Sequence, residues 1–244
     1  MRSSGFFGGV GYGNKNVSVS AFIGRVDANQ SINAIGARNE ADGTFFGATA
    51  ELAFAGFRLG GSVVRDHSSA DTSRALFDGS EATSHYRLRG TTADIHAGYG
   101  FAIAGGWEVG PEIGVTHVSV KRGNASETGA GAFNLTVAQD RISYTFLTAD
   151  FALQRNEGAL QPWLSAGVRQ RLDNDRAQAT ASLAGVSTSF TVSGVQRDRS
   201  FGNIGAGVAW RQESSNLTLF ARGNSEFGSD NNAQRVDAGL RLQF

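Results

Sequence analysis

From Val236 to Phe244 apolar and polar residues alternate without a break. Val236, Ala238, Leu240, Leu242 and Phe244 fall on one parity, and Asp237, Gly239, Arg241 and Gln243 on the other. A period of two is that of a β-strand with one apolar and one polar face. The pattern recurs upstream. Leu217, Leu219 and Ala221 mark a strand over 216–228, which pairs with 233–244 across the polar stretch 228–232. Ile204, Ala206, Val208 and Trp210 mark 200–211, and Leu164, Ala166 and Val168, alternating with Ser165, Gly167 and Arg169, mark 159–180. Further strands are expected over 138–154, 106–121, 86–102, 57–67, 43–54, 16–27 and 5–12, eleven in all.

The connections between these strands are unequal. Those at 13–15, 55–56, 103–105, 156–158 and 212–215 are short, whereas those at 28–42, 68–85, 122–137 and 181–188 are longer and rich in Ser, Asn, Asp, Thr and Gly. Short turns on one rim and long polar loops on the other are the asymmetry of β-barrels that cross an outer membrane, and an aromatic at the end of the last strand is how such chains finish. Phe54, Tyr99, Phe101, Trp107, Phe151, Trp210 and Phe244 lie within a few residues of the short-turn rim, where amphipathic rings favour a membrane boundary. Several segments run 15 residues or more, too long for an ordinary sandwich and too irregular for a solenoid repeat. The expected fold is thus all-β: one transmembrane, antiparallel, up-and-down β-barrel domain over 1–244, of about twelve strands, eleven of them counted in this chain.

Parity also sorts the charges. A charge on the lipid face costs about 2–4 kcal/mol at the bilayer midplane, so charged residues within strands are expected to face the lumen. That assigns Arg87, Arg89, Glu108, Glu112, Arg169, Arg171, Asp237 and Arg241 to the interior, together with Asn203, Gly205 and Gly207, whose small side chains would leave room for a threaded segment.

Composition narrows the alternatives. With 22 basic and 22 acidic residues the chain carries no electrostatic footprint for nucleic acid. No run of about 20 apolar residues exists, so a transmembrane helix is excluded. The absence of Cys removes disulfides, thiolate metal sites and cysteine nucleophiles, and suits an oxidising compartment. Gly is abundant, 33 residues, and Pro scarce, 2 residues, as a chain of long strands and tight turns requires.

The chain resembles the C-terminal translocator, or β-domain, of the autotransporters of type V secretion. The resemblance rests on the terminal run Arg235 to Phe244, on Asn203 to Trp210 upstream of it, and on the hairpin spacing between them. It implies a twelve-stranded barrel in the Gram-negative outer membrane, surrounded by its lipid and threaded by a helix that leads to an exported passenger polypeptide. It also implies that Val236, Ala238, Leu240, Leu242 and Phe244 are read by the barrel-assembly machinery. Counting back from a descending last strand makes 5–12 descend too, so the first strand and the luminal helix are expected before Met1. Met1-Arg2-Ser3-Ser4 lacks the apolar core of a secretory signal, which points either to a removed signal or to the tail of a longer protein.

Chemistry-bearing residues are few. Of His67, His85, His96 and His117, no two are spaced i, i+2 or i, i+4, so a metal site is not indicated. His67 with Asp66, Asp71 and Glu81 suggests Asp-His catalysis like that of outer-membrane proteases resembling omptins, although a solvated polar loop explains the same residues. No Gly-x-Ser-x-Gly elbow is present, and Gly8 to Gly13 lacks the strand-then-helix context of a phosphate loop. The expectation is therefore a translocator without enzymatic activity or cofactor. A stand-alone small porin or surface adhesin is the alternative, and a protease on the loop rim a third.

Overall fold

The computed structural model describes residues 1–32, 36–173, 176–194, 198–212, 216–229 and 232–243. Among these, one long antiparallel sheet carries the fold. In spatial order it contains β1 (Arg2–Gly13), β2 (Val17–Ile32), β3 (Ala37–Phe54), β4 (Phe57–Ala75), β5 (Glu81–Tyr99) with its short continuation β6 (Phe101–Ile103), and β7 (Trp107–Arg122). β10 (Asp140–Arg155), β11 (Leu160–Arg171), β14 (Ser200–Gln212), β15 (Leu217–Phe227) and β16 (Asn232–Leu242) complete it. β6 keeps the register of β5 against β7, because Gly98 pairs with Glu112 and Phe101 with Val109. The interruption faces Gly110 and Pro111, and proline has no N–H to give the ladder. Eleven strands therefore cross the sheet, each paired with its neighbour in sequence, as an up-and-down barrel wall requires.

Exposure alternates along the strands inside the wall, whereas β1 at its edge is exposed throughout. Ile95, Ile113, Leu164, Ile204 and Leu240 stand on the exposed face, whereas Asp94, Glu112, Ser165, Gly205 and Gly239 stand on the shielded one. The large aliphatic side chains of the wall stand mostly outside, and no large side chain is fully buried among the described residues, which is the reverse of a soluble core. The outer apolar belt on β5 and β6 runs from Ala93 to Ile103. At about 3.4 Å per residue and a tilt of about 40°, it is roughly 26 Å tall, the height of a hydrocarbon layer. Among the described residues no helix is long and apolar enough to cross a membrane, and the helices are single 3-10 turns at Ala104–Gly106 and Gly131–Phe133.

The turns explain the two rims. Ala55 (φ 46°) and Gly56 (φ 84°) form the two-residue connection between β3 and β4, with Phe54 and Phe57 as the closing pair. Positive φ at both positions is the type I′ turn whose twist matches that of the strands. On the opposite rim the strands outrun their expected limits: β2 and β3 continue to Ile32 and Ala37, and β4 and β5 to Ala75 and Glu81. Much of the expected loops 28–42 and 68–85 is thus paired strand, because their Ser, Thr and Asn residues complete ladders as readily as they form loops.

A second correction concerns 159–180, which is not one strand. β11 ends at Arg171, and β12 (Gln178–Leu183) leaves the wall to join β13 (Ser189–Ser193), β9 (Leu135–Val137) and β8 (Ala125–Ser126) in a separate four-stranded sheet on the long-loop rim. The alternations at Phe133–Val137 and Val186–Val192, within or beside the expected loops 122–137 and 181–188, belong largely to this sheet. Arg74 ties it to the β4–β5 hairpin: its Nε and Nη2 donate to Glu127 at 3.2 and 2.7 Å, and Nη2 also donates to the Phe133 carbonyl at 3.2 Å.

With eleven alternating strands, β1 and β16 run in the same direction. Among the described residues each is paired on one side only.

Candidate functional site

The inner face of the curled sheet is the candidate site, and its residues meet as charged or polar clusters. Arg169 donates to Glu226 at 2.6 Å, and its guanidinium lies 4.5 Å from the ring centre of Phe146 and 5.3 Å from that of Phe201. Cations over aromatic faces keep part of their electrostatic stabilisation when partly desolvated. Arg171, nearly buried, lies 5.2 Å from the ring centre of Tyr144. Asp237 accepts from Arg222 at 3.1 Å on the adjacent strand and from Arg235 at 2.9 Å on its own. Nearer the short-turn rim, Glu108 pairs with Arg58 at 3.1 Å and accepts from Gln154 at 3.0 Å. Asp94 meets His96 Nδ1 at 2.8 Å and accepts from Thr116 at 2.8 Å. Glu112 and His96 line a recess of about 240 Å³ with Arg58.

Of the residues assigned to the lumen by parity, Glu108, Glu112, Arg169, Arg171, Asn203, Gly205, Gly207, Asp237 and Arg241 share this inner face. Arg87 and Arg89 do not. The unbroken register of β5 puts them on the parity of Ile95, on the outer face. The assumption that every strand charge faces inward fails there because β5 continues beyond the apolar belt, where an outward charge meets water or headgroups and carries no midplane penalty.

Gly205 and Gly207 also differ from expectation. A Cβ at Gly207 would lie 2.4 Å from Trp163 Nε1, and one at Gly205 would lie 2.9 Å from Trp163 Cζ3. The indole of Trp163 therefore occupies the space above both glycines, which a threaded segment was expected to use. Trp163 and Phe201 on this face were missed from sequence, since an aromatic on a polar parity reads as an exception; the facing glycines were the signal that could have found Trp163.

Val236, Ala238, Leu240 and Leu242 form the exposed apolar face of β16, while Phe244 lies outside the described residues. Outward rings cluster on the short-turn rim: Phe54 and Phe57 are 5.5 Å apart, and Phe57–Tyr99 and Tyr99–Phe101 are each 4.7 Å apart. The suggested catalytic residues are not gathered. His67 is on the outer face, stacked 6.3 Å from Phe46, while Asp66 is on the inner face beside Gly90. Asp71 instead pairs with His85 at 2.9 Å in solvent. Among the described residues no group of three or more potential metal ligands converges.

A belted antiparallel wall with a charged interior and a structured loop rim defines an outer-membrane barrel, and comparison with known proteins specifies its kind. A family model for the autotransporter β-domain matches residues 1–224. The translocator domain of the autotransporter NalP from Neisseria meningitidis is similar in fold, with a TM-score of 0.81 at 14% identity, over 99% of this chain and 82% of that one. The β-domain of the Bordetella autotransporter Brka has a TM-score of 0.69 at 16% identity, over 99% of this chain and 90% of that one. No curated protein matches the chain by sequence. The chain belongs to the autotransporter β-domain family. It is an outer-membrane β-barrel translocator serving a passenger domain.

Proposed function

We propose that this barrel anchors its passenger in the outer membrane and helps carry it across, acting without catalysis of its own. The observation that carries the reading is the inner face itself: charges of both signs, held in pairs such as Arg169–Glu226 and Arg222–Asp237, line a wall whose outside is apolar. Paired charges hydrate an interior without fixing a peptide of one sign, which suits a conduit for varied sequence. In this reading the apolar belt sits among the acyl chains of the outer membrane. β16 presents Val236, Ala238, Leu240 and Leu242 to the barrel-assembly machinery, which reads the chain's last residues through Phe244.

The parallel edges β1 and β16 support one more element of the proposal. Unpaired backbone in hydrocarbon costs several kcal/mol per group, and one further strand running opposite to both edges would satisfy both. We assign that strand, and a helix leading from it through the lumen, to the same protein upstream of this domain.

The test uses intact cells expressing the whole gene product with an epitope on the passenger. Residues 1–244 present should give a surface epitope open to added protease; their deletion should leave it in the periplasm. An epitope equally exposed without residues 1–244 would overturn the proposal.

A further inference from the structure

On the outer face of β4, β5, β7 and β10, just beyond the apolar belt on the long-loop rim, lies a row of basic side chains. The register pairs His67 with Arg89, Arg89 with Lys121, and Lys121 with Arg141, so four basic residues stand side by side across four adjacent strands. Arg65 and Arg87 flank the row on the same face. Like charges directly opposite one another destabilise a strand pair, so the arrangement costs stability when nothing else is bound.

Two comparisons within the molecule show that the row is not simply the polar rim of any barrel. First, no acid lies within ion-pairing distance of Arg65, Arg87, Arg89, Lys121 or Arg141 among the described residues. On the neighbouring strands, by contrast, Arg25 meets Asp42 at 3.6 Å and Arg38 meets Glu40 at 3.9 Å. Second, the wall formed by β11, β14, β15 and β16 ends on that rim in uncharged outward residues: Gln170, Ser200, Phe227 and Asn232. Beside the row the surface sinks into a depression of about 320 Å³ lined by Arg25, Asp42, His67, Ser69, Arg87 and Arg89, in which the carboxylate of Asp42 is the one that Arg25 pairs.

We propose that this row is a binding site for phosphorylated lipid headgroups of the surrounding leaflet. Its position fixes the occupant: a ligand there would have its acyl chains against Val63, Ile95 and Val115 and its head level with the cations. Guanidinium groups match phosphate oxygens in charge and in fork geometry, and a bis-phosphorylated headgroup would neutralise several of them at once. Neutralisation removes the repulsion between Arg89, Lys121 and Arg141. The bound lipid thus stabilises the wall that recognises it. The inference rests on the reading of the chain as an outer-membrane barrel.

The experiment inserts the whole gene product into vesicles of phosphatidylethanolamine containing either lipid A or its dephosphorylated form, and measures retained glycolipid by native mass spectrometry. The chain should retain lipid A and not the dephosphorylated form. Arg89→Gln combined with Lys121→Gln and Arg141→Gln should weaken retention about tenfold or more, whereas Arg38→Gln should leave it unchanged. Free pyrophosphate at equal concentration should not displace the lipid. Equal retention of both glycolipids, full retention by the triple variant, or displacement by pyrophosphate would overturn the proposal while leaving the barrel reading intact. Failure of the whole gene product to enter any vesicle would overturn both.

Discussion

Arg169 of β11 reaches across β14 to Glu226 of β15, its Nη2 donating to the carboxylate at 2.6 Å on the inner face. The contact spans three strands and so joins wall segments that backbone ladders connect only pairwise. Both side chains are shielded but not dry, at 33% and 25% exposure, so water moderates the pair without abolishing it.

Removing one partner should therefore cost a charge-assisted hydrogen bond rather than a fully buried ion pair. Glu226→Ala is expected to lower unfolding free energy by about 1–2 kcal/mol, and Arg169→Met by a similar amount. The double variant should cost less than the sum of the two, because the second change removes a side chain already without its partner. Urea unfolding in vesicles of the single and double variants measures the coupling; strict additivity would show that the contact contributes nothing.

Trp163 and Gly207 make a second, steric pair. Gly207→Val should destabilise by about 1–3 kcal/mol, since its Cβ would lie 2.4 Å from the indole Nε1. In a Trp163→Ala background the loss should shrink without vanishing, because the Ala221 carbonyl oxygen still lies 2.9 Å from the added Cβ. Thermal unfolding followed by heat-modifiable mobility compares the two backgrounds, and an equal loss in both would contradict the packing described.

At the β3–β4 turn, Ala55 holds φ 46°, a left-handed conformation that Asn tolerates better than Ala. Ala55→Asn creates the Asn-Gly sequence preferred in type I′ turns and should raise stability by about 0.5–1 kcal/mol. A lowered unfolding midpoint would be inconsistent with the turn.

Arg74 pins the loop 123–139 to the β4–β5 hairpin through Glu127, which is itself only 11% exposed. Arg74→Ala should speed proteolytic cleavage within 123–139 by about tenfold, the effect of losing one charge-assisted bidentate contact. Membrane insertion should be unchanged, because the contact lies outside the belt. Cleavage at the parent rate would show that the loop is held by its other contacts, such as the Thr83–Thr128 bridge.

The wall was legible in the sequence because membrane strands obey a strict rule: hydrocarbon outside, anything polar inside. That rule located the positions of all eleven crossing strands and the inward parity of Arg169, Glu108 and Asp237. It failed where the bilayer stops constraining the chain. Arg87 and Arg89 face outward because β5 outruns the belt, and 178–183 departs into a second sheet, its Ala179, Ala181 and Leu183 on odd positions where the apolar Leu164, Ala166 and Val168 of β11 fall on even ones. Contacts across several strands, such as Trp163 over Gly205 and Gly207, depend on curvature and stagger, which periodicity does not encode.

Which face of the wall meets lipid fixes the register of every strand, and the absence of cysteine from the 244 residues makes it directly measurable. Single nitroxides introduced in membrane-inserted protein at Ile95, Ile113, Leu164 and Leu240 should collide with oxygen and be shielded from a water-soluble nickel chelate. Those at Asp94, Glu112, Ser165 and Gly239 should show the reverse preference. Equal accessibility of both sets, or oxygen preference on the inner set, would contradict the barrel register on which the translocator account rests.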